Sequence, residues 1–220
     1  MSDQLAIEAL AARLERNPEL KNDAAGWKVS LNFRVWQEKL GLTHALAAPI
    51  ARLQTYENGQ KVSVGPGRRI HIEAELAVKL GADMRTSSDA LVVESVRPVL
   101  ELVDYTYPVG DLPTMFAHSF FHAGVVLGAE RSLENLPAFP AGLPHVRKGD
   151  MTHARVPGTV PDDILKALGQ LSRRVLEAGA TLRRGQLILC GSYTEPMALG
   201  VGERIEANFG DGIGTLSVAR

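Results

Sequence analysis

Three glutamates stand in apolar surroundings along this chain: Glu73 and Glu75 in "IHIEAELAVKL", and Glu101 in "VLELVDY". Burying an ionised carboxylate is costly unless something compensates it. Three that converge repel one another, and a divalent cation between them removes the repulsion. An all-oxygen ligand set suits a hard cation, Mg2+ or Mn2+, rather than zinc. Spacing alone leaves a second reading open, in which each glutamate faces water from a half-exposed strand.

The element that carries the pair decides whether the two carboxylates can converge. Within residues 70–80 the even positions Ile70, Ile72, Ala74, Leu76, Val78 and Leu80 are all apolar, while His71, Glu73, Glu75 and Lys79 are polar. Glu, Ala, Leu and Lys favour helix, and Gly81 could end one. The alternation nevertheless has the period of a strand, which is the preferred reading. A strand sets both carboxylates on one face, about 7 Å apart. A helix would turn them about 200° apart.

Around this stretch the elements fall into place by pattern. Residues 3–16 repeat Leu5, Ile7, Leu10 and Leu14 at helical spacing, with Pro18 just beyond. "GWKVSLN" at 26–32 leads into "FRVWQEKLG", a helix begun near Asn32 and closed by Gly41. Residues 45–69 read as loop and short strands, with "ENGQ" at 57–60 as a tight hairpin turn. Residues 90–105 are β-rich, and Pro98 divides them into two strands or marks an edge. Residues 114–128 suggest a helix running into a strand. The clearest helix spans 161–179, with Pro161, Asp162 and Asp163 at its start and Gly179 at its end. Leu165, Leu168, Leu171, Val175 and Leu176 would form its buried face. "LILCGS", "RIEANF" and "GTLSVA" are short strands between glycine-rich turns. The expected class is α+β, a single domain over 1–220 with a helical N-terminal segment over 1–45 and a β-rich core over 46–220.

Composition narrows the function classes. A net charge of −1 gives no reason to expect nucleic acid or an anionic membrane as partner. No apolar run is long enough to span a bilayer. "MSDQLAIEALAARLERNPEL" lacks the basic start and apolar core of a signal peptide. The single cysteine, Cys190, excludes an internal disulfide, fits a reducing compartment and reads as a core residue. The expectation is a cytoplasmic protein. His118 and His122 stand one helical turn apart, a spacing that can hold zinc, but no Glu follows His118 and no third ligand is evident. A role other than metal ligation is favoured for both. "GPGRR" at 65–69 lacks the strand and helix of a phosphate loop and reads as a solvated turn.

Four stretches, in order, give the chain a resemblance to the 2-keto-4-pentenoate hydratase and oxalocrotonate decarboxylase branch of the fumarylacetoacetate hydrolase superfamily. "AGWKVSLN" with "QEKLGL" resembles that branch's Gly-Tyr-Lys-(Ile/Val)-Gly-Leu-Thr motif and the helix after it. "IHIEAELAVKLGADM" resembles its Glu-x-Glu strand, and "VRPVLELVDY" its Ala-Leu-Glu-Ile-Val-Asp strand. "LRRGQLILCGSYTEPMALGVGERIEANFGDGIGTLSV" resembles its closing run. The match covers most of residues 25–220.

The resemblance implies a mixed β-roll with peripheral helices. It implies Glu73, Glu75 and Glu101 as ligands of Mg2+ or Mn2+, and Lys28 as the catalytic lysine that moves protons. Ser30, Ser192, His118, His122 and Arg97 are the expected substrate-binding residues, although Arg97 could instead balance the acidic cluster. The implied activity is that of a metal-dependent lyase of aromatic catabolism, a hydratase or decarboxylase. It would act on a short 2-oxo acid or 2-hydroxy-dienoate through a metal-stabilised enolate. The alternatives are a C–C bond hydrolase of an acylpyruvate, which would need a His–Glu pair, and a non-catalytic partner subunit. A homo-oligomer, and a partner enzyme of the same pathway, are expected by resemblance only. The chain departs from the pattern at Ser30 and Asn32, and at "HSFFHAG" (118–124), where the branch has a small polar loop.

Overall fold

The computed structural model describes residues 3–107, 111–135, 144–156, 164–210 and 213–220. The alternation over 70–80 forms one strand, β4 (Ile70–Leu80), which lies at the middle of the larger of two sheets. Its neighbours are β5 (Val93–Asp104) on one side and β9 (Leu187–Ser192) on the other, both antiparallel to it. Beyond β5 come β6 (His122–Leu127) and the short β3 (Thr55–Glu57). Beyond β9 come β1 (Gly26–Ser30) and β2 (Leu46–Ile50). β1 runs parallel to β9, and β3 parallel to β6, so the sheet is mixed. β10 (Met197–Ala198) adds to β4 near its start. The second sheet is antiparallel, in the order β12 (Thr215–Ala219), β11 (Arg204–Asn208), β7 (His145–Lys148) and β8 (Met151–His153).

The apolar positions of β4 serve two layers. Ile70, Ile72 and Ala74 join Leu100 and Leu102 of β5 against Ile205, Leu216 and Val218 of the second sheet. Leu76, Val78 and Leu80 pack into the layer that α1 (Asp3–Arg16), α4 (Leu112–Ala117) and α5 (Ile164–Glu177) cover. A strand of this length coils with its sheet, so one side of it meets different partners at its two ends. Leu10, Leu14, Phe116, Leu168 and Leu171 supply the helical side of that layer. α2 (Glu19–Asp23) and α3 (Arg34–Leu40) flank β1 in the chain. No helix among the described residues is long and apolar enough to cross a membrane.

Several expectations need correction. Residues 93–104 form one continuous strand inside the sheet, not two strands or an edge. Pro98 is tolerated because its carbonyl accepts from the Gly128 amide (2.9 Å) just past the last β5–β6 pair, Val99 with Leu127. Within a strand a residue's N–H would point to that same side, where regular pairing is interrupted between Leu127 and the Val96–Arg131 bridge. "ENGQ" does turn, with Gly59 at φ 81° and the Gln60 amide on the Glu57 carbonyl (3.0 Å). It closes no hairpin, since β3 pairs with β6. The Lys28 motif is β1, inside the main sheet, so residues 1–45 are not simply a helical segment ahead of the core. Leu165 is half-exposed rather than buried. Pro161, Asp162 and Asp163 lie outside the described residues.

Candidate metal centre

The β4–β5 register sets Glu73 directly opposite Glu101 and Glu75 opposite Val99. Like charges across a ladder oppose pairing. One carboxylate oxygen from each of Glu73, Glu75 and Glu101 nevertheless lies within 4.8 Å of the others. Glu75 and Glu101 are 1% and 0% exposed, and Glu73 is half-buried. The reading of three solvated glutamates therefore fails on burial.

Each carboxylate has its own restraint. Lys28 reaches from β1 and donates through Nζ to both Glu101 oxygens, at 2.5 and 2.7 Å. His122, the first residue of β6, places Nδ1 2.7 Å from Glu101 Oε1. An ionised carboxylate only accepts, so Nδ1 is the donor there. Glu75 Oε2 accepts the Gly191 amide at 3.0 Å. That amide is free because β9 carries one extra residue: Leu189 pairs with Ala77 and Ser192 with Glu75, leaving Cys190 and Gly191 opposite Leu76 alone. Bulges of this kind re-aim groups beside functional sites. Gly191 has φ 98°, and a Cβ there would lie 3.1 Å from the Asn32 side chain, so glycine is needed twice over. The Tyr105 hydroxyl stands beside Glu73 and favours its ionised form.

The electrostatics show a surplus of negative charge. Burial, then the Glu101 charge, pushes the Glu73 carboxyl up to about 7. Burial and Glu101 raise Glu75 well above the ordinary carboxylate range as well. Burial also opposes ionisation of Glu101, but Lys28 and His122 outweigh it and hold that group low. Burial pulls Lys28 down, yet Glu101, Glu73 and Glu75 together carry it above its ordinary value. A lowered Lys28, expected beside a metal, is not what these groups alone produce. One ammonium faces three carboxylates, and the donors are all oxygen. That set fits a hard divalent cation.

A cavity of about 560 Å3 opens over the cluster. Lys28, Ser30, Glu73 and Glu75 form its polar wall, and Trp36, Tyr105, Tyr107, Phe120 and Phe121 contribute rings. Ser30 Oγ is buried without a hydrogen-bond partner among the described residues. The other expected substrate-binding residues are placed elsewhere. Arg97 pairs with Glu130 and does not line the cavity. Ser192 Oγ donates to the Thr194 carbonyl at 2.6 Å. His118 stacks on Tyr107, with centroids 3.9 Å apart and planes 17° apart. His118 and His122 do not share a helical face, because α4 ends at Ala117 and the backbone turns through Ser119, Phe120 and Phe121 at φ 50°, 49° and 66°. The sequence reading passed over Tyr105, Gly191 and the ring-bearing walls. Tyr105 carried a signal: it shares strand parity with Glu101, four residues on.

No protein-family model matches the chain. In structure it is similar to 4-oxalocrotonate decarboxylase from Pseudomonas putida G7, complexed with magnesium and adipate, at TM-score 0.80 and 20% identity. That match covers 100% of this chain and 86% of the other. It is also similar to 5-carboxymethyl-2-hydroxymuconate delta-isomerase from Mycobacterium smegmatis, at TM-score 0.59 and 17% identity over 88% of this chain and 76% of that one. Maleylpyruvate hydrolase from Sphingobium sp. SYK-6 matches at TM-score 0.55 and 20% identity, over 88% and 69%. At such identities it is the fold that is shared: the chain has the mixed α+β fold of these three structures.

Proposed function

We propose that this protein is a divalent-metal-dependent lyase, a decarboxylase or hydratase, acting on a short 2-oxo acid or 2-hydroxy-dienoate. The observation that carries the reading is the buried surplus of carboxylate charge at Glu73, Glu75 and Glu101, set against a cavity of substrate size. Those three residues would hold Mg2+, or Mn2+ by the same donor chemistry. The cation supplies Lewis acidity toward the adjacent oxygens of a 2-oxo acid.

The chain's own groups do the rest. Lys28 is 3% exposed, lines the cavity and carries its proton at Nζ, so it is the group placed to exchange a proton with a bound carbon chain. Glu101 and His122 orient that ammonium. Ser30 Oγ offers an uncommitted hydroxyl to a substrate oxygen. The Gly191 amide restrains Glu75, and Tyr105 stands beside Glu73, so both carboxylates have neighbours that would orient them toward a cation. The hydrolase alternative is disfavoured, because the His–Glu pair it requires is His122 with Glu101, and His122 does not line the cavity.

The test is a panel of 2-oxo acids and dienoates given to the Mg2+-loaded protein and followed by ultraviolet absorbance. Consumption by the wild type, with kcat lower by about 100-fold or more in Lys28→Ala, is the expected result. Pyruvate released from an acylpyruvate would instead mark a hydrolase, and full turnover by Lys28→Ala would remove Lys28 from the chemistry.

A further inference from the structure

The segment "HSFFHAG" and helix α3 together form the part of the cavity that the metal chemistry leaves unexplained. α3 buries none of its residues. Its Val35 and Trp36 are 66% and 38% exposed, and both line the cavity rather than the core. Phe120 and Phe121, each 5% exposed and from the left-handed run, also line it. Non-glycine residues are disfavoured in that region and persist only where their surroundings hold them, commonly at ligand-binding sites. Phe121 meets Tyr105 edge-on, at 5.6 Å and 69°, and Tyr105 lines the cavity together with Glu73. The ring wall is thus continuous with the carboxylate cluster.

The charges at the mouth do not favour a second anionic group. Lys39 Nζ sits 4.7 Å above the Trp36 ring and is exposed, as is Arg69, so ion pairs there gain little. Glu195 also lines the cavity and would repel a distal carboxylate. We infer that the cavity takes a 2-oxo acid whose far end is an apolar, ring-sized group, and that Trp36, Phe120 and Phe121 select it. This rests on the proposed metal-dependent function and adds the substrate's distal chemistry to it.

The experiment is calorimetric. Mg2+ is first titrated into the wild type and into Glu75→Gln. The Mg2+-loaded wild type is then titrated with pyruvate, phenylpyruvate and 2-oxoadipate. Phenylpyruvate is expected to bind about tenfold or more tighter than pyruvate, the gain that burying a ring brings. Trp36→Ala, at a half-exposed site that folding does not depend on, should bring the phenylpyruvate-to-pyruvate ratio close to one. Phe120→Leu should reduce it in part. Equal binding of the two monocarboxylic acids, or 2-oxoadipate binding tightest, overturns the inference while the metal site stands. Absence of Mg2+ binding in the wild type overturns the proposed function, and the inference with it.

Discussion

Carboxylates occur in both sheets of this protein, and they are handled in opposite ways. On the second sheet, Glu206 lies between Arg204 and Arg147, and Glu203 pairs with Lys148, all with access to water. On the main sheet, Glu73, Glu75 and Glu101 share one ammonium, with Glu75 and Glu101 buried and Glu73 half-buried beside the cavity. The first arrangement keeps a surface soluble at almost no cost. The second stores repulsion that folding alone gives no reason to keep. A fold tolerates such a cluster most readily when a ligand relieves it.

Removing one cation from each sheet gives the widest contrast. Lys28→Met should cost the metal-free protein about 3–5 kcal/mol, because the buried, ionised Glu101 loses its ammonium partner. Urea denaturation measures it, and Mg2+ should restore part of the loss. A cost below 1 kcal/mol would mean that the cluster is better solvated than its burial indicates.

The next effect is in pH. Glu73 has a folded pKa near 7 against an unfolded value near 4.5. The unfolded chain therefore releases this proton first as pH rises, and metal-free stability should fall between about pH 4.5 and 7, by on the order of 3 kcal/mol. Glu75 pushes in the same direction. A flat thermal-denaturation profile across that window would contradict the charge surplus.

Saturating Mg2+ should reverse the trend, adding about 2.7 kcal/mol at a hundred times its Kd. Differential scanning fluorimetry should show the shift in wild type and lose most of it in Glu75→Gln. Gly191→Ala should cost about 1–3 kcal/mol in the same assay, through its left-handed φ and the Asn32 side chain in its way. Arg147→Met, the cation removed from the second sheet, should change stability by less than about 0.5 kcal/mol. If it matched Lys28→Met, the distinction between the sheets would collapse.

The alternation of β4 made the central strand legible from sequence, because every even position from Ile70 to Leu80 is apolar. β5 was harder, since the sequence does not say on which side a neighbour stops, and that is what admits Pro98. The candidate ligands could be chosen for their apolar settings and, more firmly, by resemblance. Their restraints could not: Lys28 and Glu101 are 73 residues apart, and Glu75 meets Gly191 across 116. The segment from His118 to His122 defeated local reading altogether. Helical spacing suggested one face, whereas three consecutive left-handed residues send one imidazole to Tyr107 and the other to Glu101.

Helix α3 has a consequence for motion. Its seven residues are too few to be stable as an isolated helix. It is held by local bonds, such as Gln37 Nε2 to the Leu31 carbonyl at 2.8 Å and the turn into Gly41, and by no buried side chain. Within it Leu40 packs against the core, and otherwise its apolar side chains face the cavity or solvent, so its amides should exchange with deuterated solvent sooner than those of β4 or β5. The wall that carries Trp36 is thus less firmly anchored than the strands that carry the carboxylate cluster.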